Sequence, residues 1–262
     1  MSGPDQNRRP LPSAWRRRFR RWREERWRRA TWFANRVGTR LRGEYSAASI
    51  EFRWPATPDR ADLINAVAAI VQARSYLEIG CNNDRCFSRV RVETKVGVDP
   101  RRGGTVRATS DEFFAGNRSS FDVVFVDGLH RYAQVVRDVE NALKVLEPGG
   151  VILIHDCLPL NWAAQYVKPL QHAWNGDVWK AFVEIRTWPN VDAATCMIDQ
   201  GVGIVVPRPN GDRLELSPPS FEALPYSLLV DDHRRLLREL DFEAAKAFVR
   251  EAGVPTKSAT PI

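Results

Sequence analysis

Phe121-Asp122-Val123-Val124-Phe125-Val126-Asp127-Gly128-Leu129-His130 and, one helical stretch later, Leu146-Glu147-Pro148-Gly149-Gly150-Val151-Ile152-Leu153-Ile154-His155-Asp156 decide how this chain folds. Each contains a short apolar run that does not alternate with polar residues, the pattern of a strand buried on both faces, and each run stops at a carboxylate. Between them, Val135, Val139, Leu143 and Leu146 recur at helical spacing across Arg131 to Leu146, and Pro148-Gly149-Gly150 is the expected stop. A strand, a helix and a strand in that order make a parallel pair with a crossover. Working outward, Tyr76-Leu77-Glu78-Ile79-Gly80 and Lys95 to Val98, followed by Asp99-Pro100, read as two further buried strands, with a helix over Ala61 to Ala73 feeding the first. Ala194 to Asp199 and Ile204 to Val206, joined through Gly201-Val202-Gly203, predict a hairpin that adds antiparallel strands at one edge. Ser220 to Glu251 reads as mainly helical and is placed outside the sheet. The expected fold is α/β and doubly wound, and its ligands bind beyond the carboxyl ends of the strands, where the carboxylates gather.

The 262 residues are 44% hydrophobic and 27% charged, ordinary for a globular chain with a sizeable core. The longest apolar candidate, Ala61 to Ala73, is interrupted by Asp62 and Asn65, so no membrane span is expected. Met1 to Pro10 has no apolar stretch of the kind a secretory signal needs, and Ser2 stands where myristoylation requires glycine. Cys81, Cys86, Cys157 and Cys196 form no C-x-x-C pair and read as reduced thiols of a cytoplasmic protein. Charge is divided sharply. Residues 1–43 hold fourteen Arg, no Lys and three acidic residues, a net +11, which leaves −4 on the rest of the chain. In this arm Trp15, Phe19, Trp22, Ala30, Phe33, Val37 and Leu41 fall on one side of a helix, interrupted by Arg26, with Arg16, Arg17, Arg18, Arg20, Arg21 and Arg23 around the remainder. Aromatic anchors among guanidinium groups suit a peripheral seat on an anionic membrane surface; packing on the body or on a second copy, disorder, and nucleic-acid contact are the alternatives.

Over roughly Ala61 to Pro207 these motifs resemble the class I S-adenosylmethionine-dependent methyltransferases. Tyr76-Leu77-Glu78-Ile79-Gly80 is similar to the family's first motif, and Val96-Gly97-Val98-Asp99 to its second, whose acidic residue accepts from both ribose hydroxyls. The resemblance implies a Rossmann-like sheet of seven strands, mostly parallel, with an antiparallel edge hairpin, a basic N-terminal helical arm and C-terminal helices. It divides the chain into an arm (1–43), a methyltransferase domain (44–210) and a C-terminal helical extension (211–262). It implies that Glu78, Gly80, Asp99, Asp111 (toward the adenine) and Asp127 bind S-adenosylmethionine. Where the family's loop usually reads Gly-x-Gly-x-Gly, this chain has Gly80-Cys81-Asn82-Asn83-Asp84. Asn and Asp tolerate left-handed backbone, so the turn is expected to survive. A nicotinamide enzyme lacks support, since the dinucleotide glycine fingerprint is missing.

Asp127-Gly128-Leu129-His130 and His155-Asp156 resemble the metal-assisted branch that holds the catechol and macrolide-sugar O-methyltransferases. That likeness implies a divalent ion on Asp127, His155 and Asp156, with Cys157 standing where the catechol enzyme has Asn; the imidazole makes Mn²⁺ a rival to Mg²⁺. His130 falls where the catechol enzyme carries its lysine base, and an imidazole titrating near neutrality suits removal of a hydroxyl proton, with His155 the alternative. The acceptor implied is a small molecule, a carbohydrate by analogy, against which Trp174 and Trp179 either stack or simply pack the sheet. A nucleic-acid methyltransferase using the arm is disfavoured by the acidic body, and a catalytically silent cofactor-binding or membrane scaffold is a further alternative. A homo-oligomer is compatible with all of these.

Overall fold

The computed structural model describes residues 13–43 and 45–251. After a long helix α1 (Ser13–Leu41), α2 (Arg60–Ile70) starts at an N-cap on Asp59. Its carboxylate accepts from the backbone N–H groups of Ala61 and Asp62 while the Asp62 carboxylate accepts from that of Asp59, a reciprocal capping box. Then follow β1 (Ser75–Ile79), β2 (Thr94–Val98), α3 (Ser110–Gly116), β3 (Phe121–Val126), α4 (Tyr132–Lys144), β4 (Leu146–Ile154), the short α5 (Trp162–Gln165), α6 (Val178–Ile185), β5 (Asp192–Cys196), β6 (Val202–Val206), α7 (Tyr226–Leu237), β7 (Glu239–Leu240) and α8 (Phe242–Arg250).

Seven strands form one Rossmann-like sheet in the order β2-β1-β3-β4-β6-β5-β7. Pairs β1/β2, β1/β3 and β3/β4 are parallel, while β6 runs antiparallel to both β4 and β5. The hairpin expected from Ala194 onward is therefore present. One expectation is corrected: the C-terminal segment does not lie wholly outside the sheet, because Glu239 and Leu240 pair in parallel with Thr195 and Cys196 as its outermost strand. Two residues are too few for an apolar pattern to show in the sequence, and the left-handed backbone at Arg238 that turns the chain from α7 into β7 carries no glycine signal.

Burial on both faces explains the unbroken apolar runs. Val124, Val126, Ile152 and Ile154 point into a core shared with Val135 and Val139 of α4, Trp179 and Phe182 of α6 and Leu236 of α7. Their alternates Val123, Phe125, Val151 and Leu153 point to the other face, against Leu63, Ile64 and Val67 of α2 and Phe248 and Val249 of α8.

The strand order reverses between β1 and β3, and a doubly wound sheet opens its ligand crevice at that reversal. The two strands are locked there by backbone contact. Asp127 donates its N–H to the Ile79 carbonyl at 2.8 Å, and Gly80, at φ +92, leaves no space for a Cβ, which would fall inside van der Waals contact of the Asp127 carbonyl. Gly80→Ala should therefore cost about 3 kcal/mol or more in urea denaturation, combining left-handed strain with a backbone clash. Gly116→Ala, whose added Cβ meets nothing within 4 Å, should leave stability unchanged or slightly raised.

Candidate active site

Asp127 directly follows β3, and His155 and Asp156 directly follow β4, so strand pairing brings them together at the carboxyl edge. The His155 N–H donates to the Val126 carbonyl, carrying the ladder one residue past the strands. Asp156 then turns at φ +64, which points its carboxylate inward, where it is 2% exposed and accepts from Asn175 Nδ2 through Oδ1 at 3.1 Å. Its other oxygen, Oδ2, lies 3.1 Å from Nδ1 of both His130 and His155.

His130 is oriented from three sides. Its Nδ1 lies 3.1 Å from the Trp174 carbonyl as well as from Asp156, and both of those are acceptors, so Nδ1 carries the proton. Nε2 is left facing Asp127 Oδ1 at 3.4 Å, too far for a strong hydrogen bond. The ring stacks on Trp174 with centroids 5.0 Å apart, and the turn behind it requires Gly176, whose Cβ would run into the His130 carbonyl. Burial pulls the His130 pKa down, but Asp156 and Asp127 outweigh it and hold the pKa above its ordinary value.

His155 is enclosed more completely. Nε2 donates to the Asp199 carbonyl at 2.9 Å, and Nδ1 lies 3.1–3.2 Å from Asp156, Asp127 and Arg60 Nη1. Burial again opposes the charged ring, yet Asp156 and Asp127 raise its pKa well above the ordinary range. Arg60, in the first turn of α2, closes the group: Nη1 donates to Asp127 Oδ2 at 2.8 Å and Nε to Asp199 Oδ2 at 2.7 Å. Against a desolvation cost that raises them, His155, His130 and Arg60 hold the Asp127 pKa far below the carboxylate range, and His155 and Arg60 do the same for Asp199. Three carboxylates thus face Arg60 and two imidazoles in a largely buried cluster, where each cation offsets the mutual repulsion of the carboxylates.

The residues expected on the cofactor lie along the same edge but differ in availability. Glu78 is buried beneath the β1 turn and accepts from Tyr76 Oη at 2.6 Å. Asp99 accepts backbone N–H groups from Asn82, Arg101 and Arg102 at 2.8–2.9 Å, so its carboxylate staples the loop after β1 to the loop after β2, and Oδ2 retains the freer acceptor position. Asn82 and Asp84 both take left-handed backbone, φ +49 and +60, as the altered loop anticipates; Asp84 also accepts the Gly104 N–H at 2.7 Å. Asp111 is exposed on α3 and engaged by Gln134 and Arg137 of α4. Trp179 of α6 is fully buried, which leaves it unable to stack on an acceptor. A separate cleft of about 310 Å³, lined by Arg186, Asp212 and four further arginines, shares no residue with this edge.

Arg60 and Asp199 carry no signature in the sequence. One reads as an ordinary helix start, the other as a hairpin turn residue, and only the fold brings them to Asp127 and His155. Asn175 and Gly176 stand in a turn-rich stretch that marks a loop without revealing what the loop holds.

Residues 32–157 match a family model described as a methyltransferase domain. That match covers the crevice, its strand ends and the Asp127–His130–His155–Asp156 cluster. This span, just under half of the chain, is thus similar to a methyltransferase domain. No curated protein matches the sequence. Among solved structures, similarity is found to an O-methyltransferase from Bacillus cereus in complex with SAH, at 14% identity and TM-score 0.45 over 68% of this chain and 91% of that one. It is also found to the O-methyltransferase TomG from Streptomyces achromogenes, in complex with SAM (16%, TM-score 0.44, 57% and 79%), and to the SAH-bound methyltransferase PaMTH1 from Podospora anserina (18%, TM-score 0.44, 68% and 95%).

Within this methyltransferase domain Glu78 gives a pH prediction. Desolvation pushes its pKa up to about 7 from 4.5, against the Tyr76 hydrogen bond. The folded state then binds more protons than the unfolded one between those values, so this group lowers stability as pH rises through that window. Glu78→Gln should gain on the wild type by about 1–3 kcal/mol between pH 5 and pH 8 in chemical denaturation, and the gap should flatten above pH 8.

Proposed function

We propose that this methyltransferase transfers the methyl group of S-adenosylmethionine to a hydroxyl of a small polar acceptor, a carbohydrate in the first instance, with His130 as the base. The observation that carries the reading is the double acceptor at His130 Nδ1: Asp156 and the Trp174 carbonyl commit that nitrogen as a donor and present Nε2, on the Asp127 side, as the atom that takes the proton. In the reaction the hydroxyl oxygen forms a bond to the methyl carbon as the carbon–sulfur bond breaks, its electron pair returns to sulfur, and the hydroxyl proton passes to Nε2. The sulfonium is already an activated donor, so alignment and exclusion of water supply most of the acceleration. Half-buried Trp174 walls the acceptor side, and the carboxylates around it favour a polyhydroxylated acceptor over an apolar one.

A second reading is favoured by one specific observation. Asp127, His130 and Asp156 each offer a ligand atom, all within 4.8 Å of one another. A histidine whose Nδ1–H is fixed by a carbonyl and a carboxylate is how proteins prepare Nε2 for a metal, and the mixed nitrogen and oxygen donors fit Mn²⁺ better than Mg²⁺. His155, with Nε2 on the Asp199 carbonyl and Nδ1 facing Asp156 and Asp127, fits a supporting role better than the ligand role its sequence position suggests. A bound ion would hold the acceptor hydroxyl and lower its pKa, and His130 would then be a ligand.

Titration calorimetry should show binding of S-adenosylmethionine and its demethylated product; absence of both would overturn either reading. With an acceptor in hand, His130→Ala should lower kcat by about 10²–10⁴ with little change in cofactor affinity. Because the His130 pKa is raised and a base must be neutral, kcat/KM should fall as pH drops below that raised value, and chelation should leave the rate intact. Under the cation reading, chelation abolishes turnover, Mn²⁺ restores it, and Mn²⁺ affinity rises with pH as protons leave the histidines.

A further inference from the structure

The described part of α1 is two-sided, and the side turned to solvent is the apolar one. At about 100° per residue, Trp32, Asn35 and Thr39 share one face. This face meets the body: Asn35 Nδ2 donates to the Pro169 carbonyl at 3.4 Å, Trp32 sets its ring edge-on to His172, and Thr39 is fully buried. On the opposite arc lie Trp27, Ala30, Phe33, Val37 and Leu41. Trp27 and Phe33 are each 71% exposed and Leu41 82%, and four of the seven large exposed apolar side chains among the described residues stand on this arc. Scattered exposed apolar residues need no explanation, but a stripe along one helix does. Exposed Arg29, Arg36 and Arg40 run along one flank of the arc, and exposed Arg26 interrupts it between the angular positions of Phe33 and Val37. The side chains of Trp15, Phe19, Trp22 and Arg16 to Arg23 lie outside the described residues.

We infer that this face of α1 seats the methyltransferase on an anionic lipid bilayer, with Trp27, Phe33, Val37 and Leu41 in the acyl boundary and the flanking arginines on lipid phosphates. Charge and geometry together select that occupant. A second copy meeting face to face would bring two segments of net +11 together, whereas an anionic surface neutralises them. A nucleic acid would require mainly guanidinium groups on the outward face, where this helix presents Trp27, Phe33, Val37 and Leu41 and a single arginine, Arg26. Arginine beside an apolar stripe is the arrangement of a helix lying in an interface, its stems along the apolar surface and its heads at the phosphates.

The full-length protein should co-sediment with phosphatidylcholine vesicles containing about 30% phosphatidylglycerol and only weakly with pure phosphatidylcholine. Phe33→Asp combined with Leu41→Asp should weaken partitioning about 100-fold, because two of the exposed apolar side chains are replaced by carboxylates, while thermal unfolding followed by circular dichroism stays unchanged. Arg36→Glu with Arg40→Glu should weaken binding to the anionic vesicles alone. Failure to sediment with the anionic vesicles would overturn the inference. So would sedimentation insensitive to Phe33→Asp/Leu41→Asp, a dimer in light scattering that the same pair dissolves, or duplex DNA binding in place of lipid binding. None of these readouts depends on methyl transfer, so the seat and the proposed reaction fail separately.

Discussion

Arg60 is the constraint on which the carboxyl edge of the sheet depends. Asp127, Asp156 and Asp199 arrive there on the loops after β3, β4 and β5, and three carboxylates in a largely buried space repel one another unless cations stand between them. The guanidinium holds two of them at once, 2.8 Å from Asp127 and 2.7 Å from Asp199, and its planar fork fixes direction as well as charge. Because Arg60 sits in the first turn of α2, the capping box at Asp59 that sets where α2 begins also sets where that charge lands. A local turn rule at one end of the chain thus governs the geometry of a site assembled from residues more than 60 positions away.

With Arg60 on Asp127 Oδ2, the opposite oxygen, Oδ1, is turned toward the two histidines. They divide the work. His155 is closed in on both nitrogens and ties the β4 exit to the hairpin turn at Asp199, which makes it a brace. His130 has Nδ1 committed to Asp156 and the Trp174 carbonyl, while Nε2 meets only Asp127 Oδ1, at 3.4 Å. Two imidazoles that share a carboxylate oxygen of Asp156 therefore differ in chemistry because their remaining partners differ. Sequence position alone, which sets His155 beside Asp156 and His130 three residues after Asp127, points to His155 as the ligand and does not reveal that both of its nitrogens are already engaged.

Most of the fold was legible because burial on two faces leaves unbroken apolar runs, and the strand ends were legible because carboxylates and glycines interrupt those runs. Asn82 and Asp84 were readable in the same physical terms, since few other side chains tolerate the left-handed backbone that both adopt. Side-chain partners were not. Asp99 was expected to accept from ribose hydroxyls, and the three backbone N–H groups that its loops also aim at it are written in the path of the backbone and in no residue type. That Gly80 also has to leave room for the Asp127 carbonyl is likewise visible only in the fold. β7 was invisible because a two-residue strand is defined wholly by what it pairs with.

The loop between α5 and α6 joins the two differently charged parts of the chain. Its first half, through Tyr166, Pro169 and His172, carries α1; its second half, through Trp174, Asn175 and Gly176, holds His130 and Asp156. Trp174 Nε1 donates back to the Tyr166 carbonyl at 2.6 Å, so the two halves are hydrogen-bonded to each other and do not move independently. The basic arm and the His130–Asp156 pair consequently rest on one short scaffold. A chain of contacts therefore runs from α1 through this loop to His130, which their distance in sequence conceals.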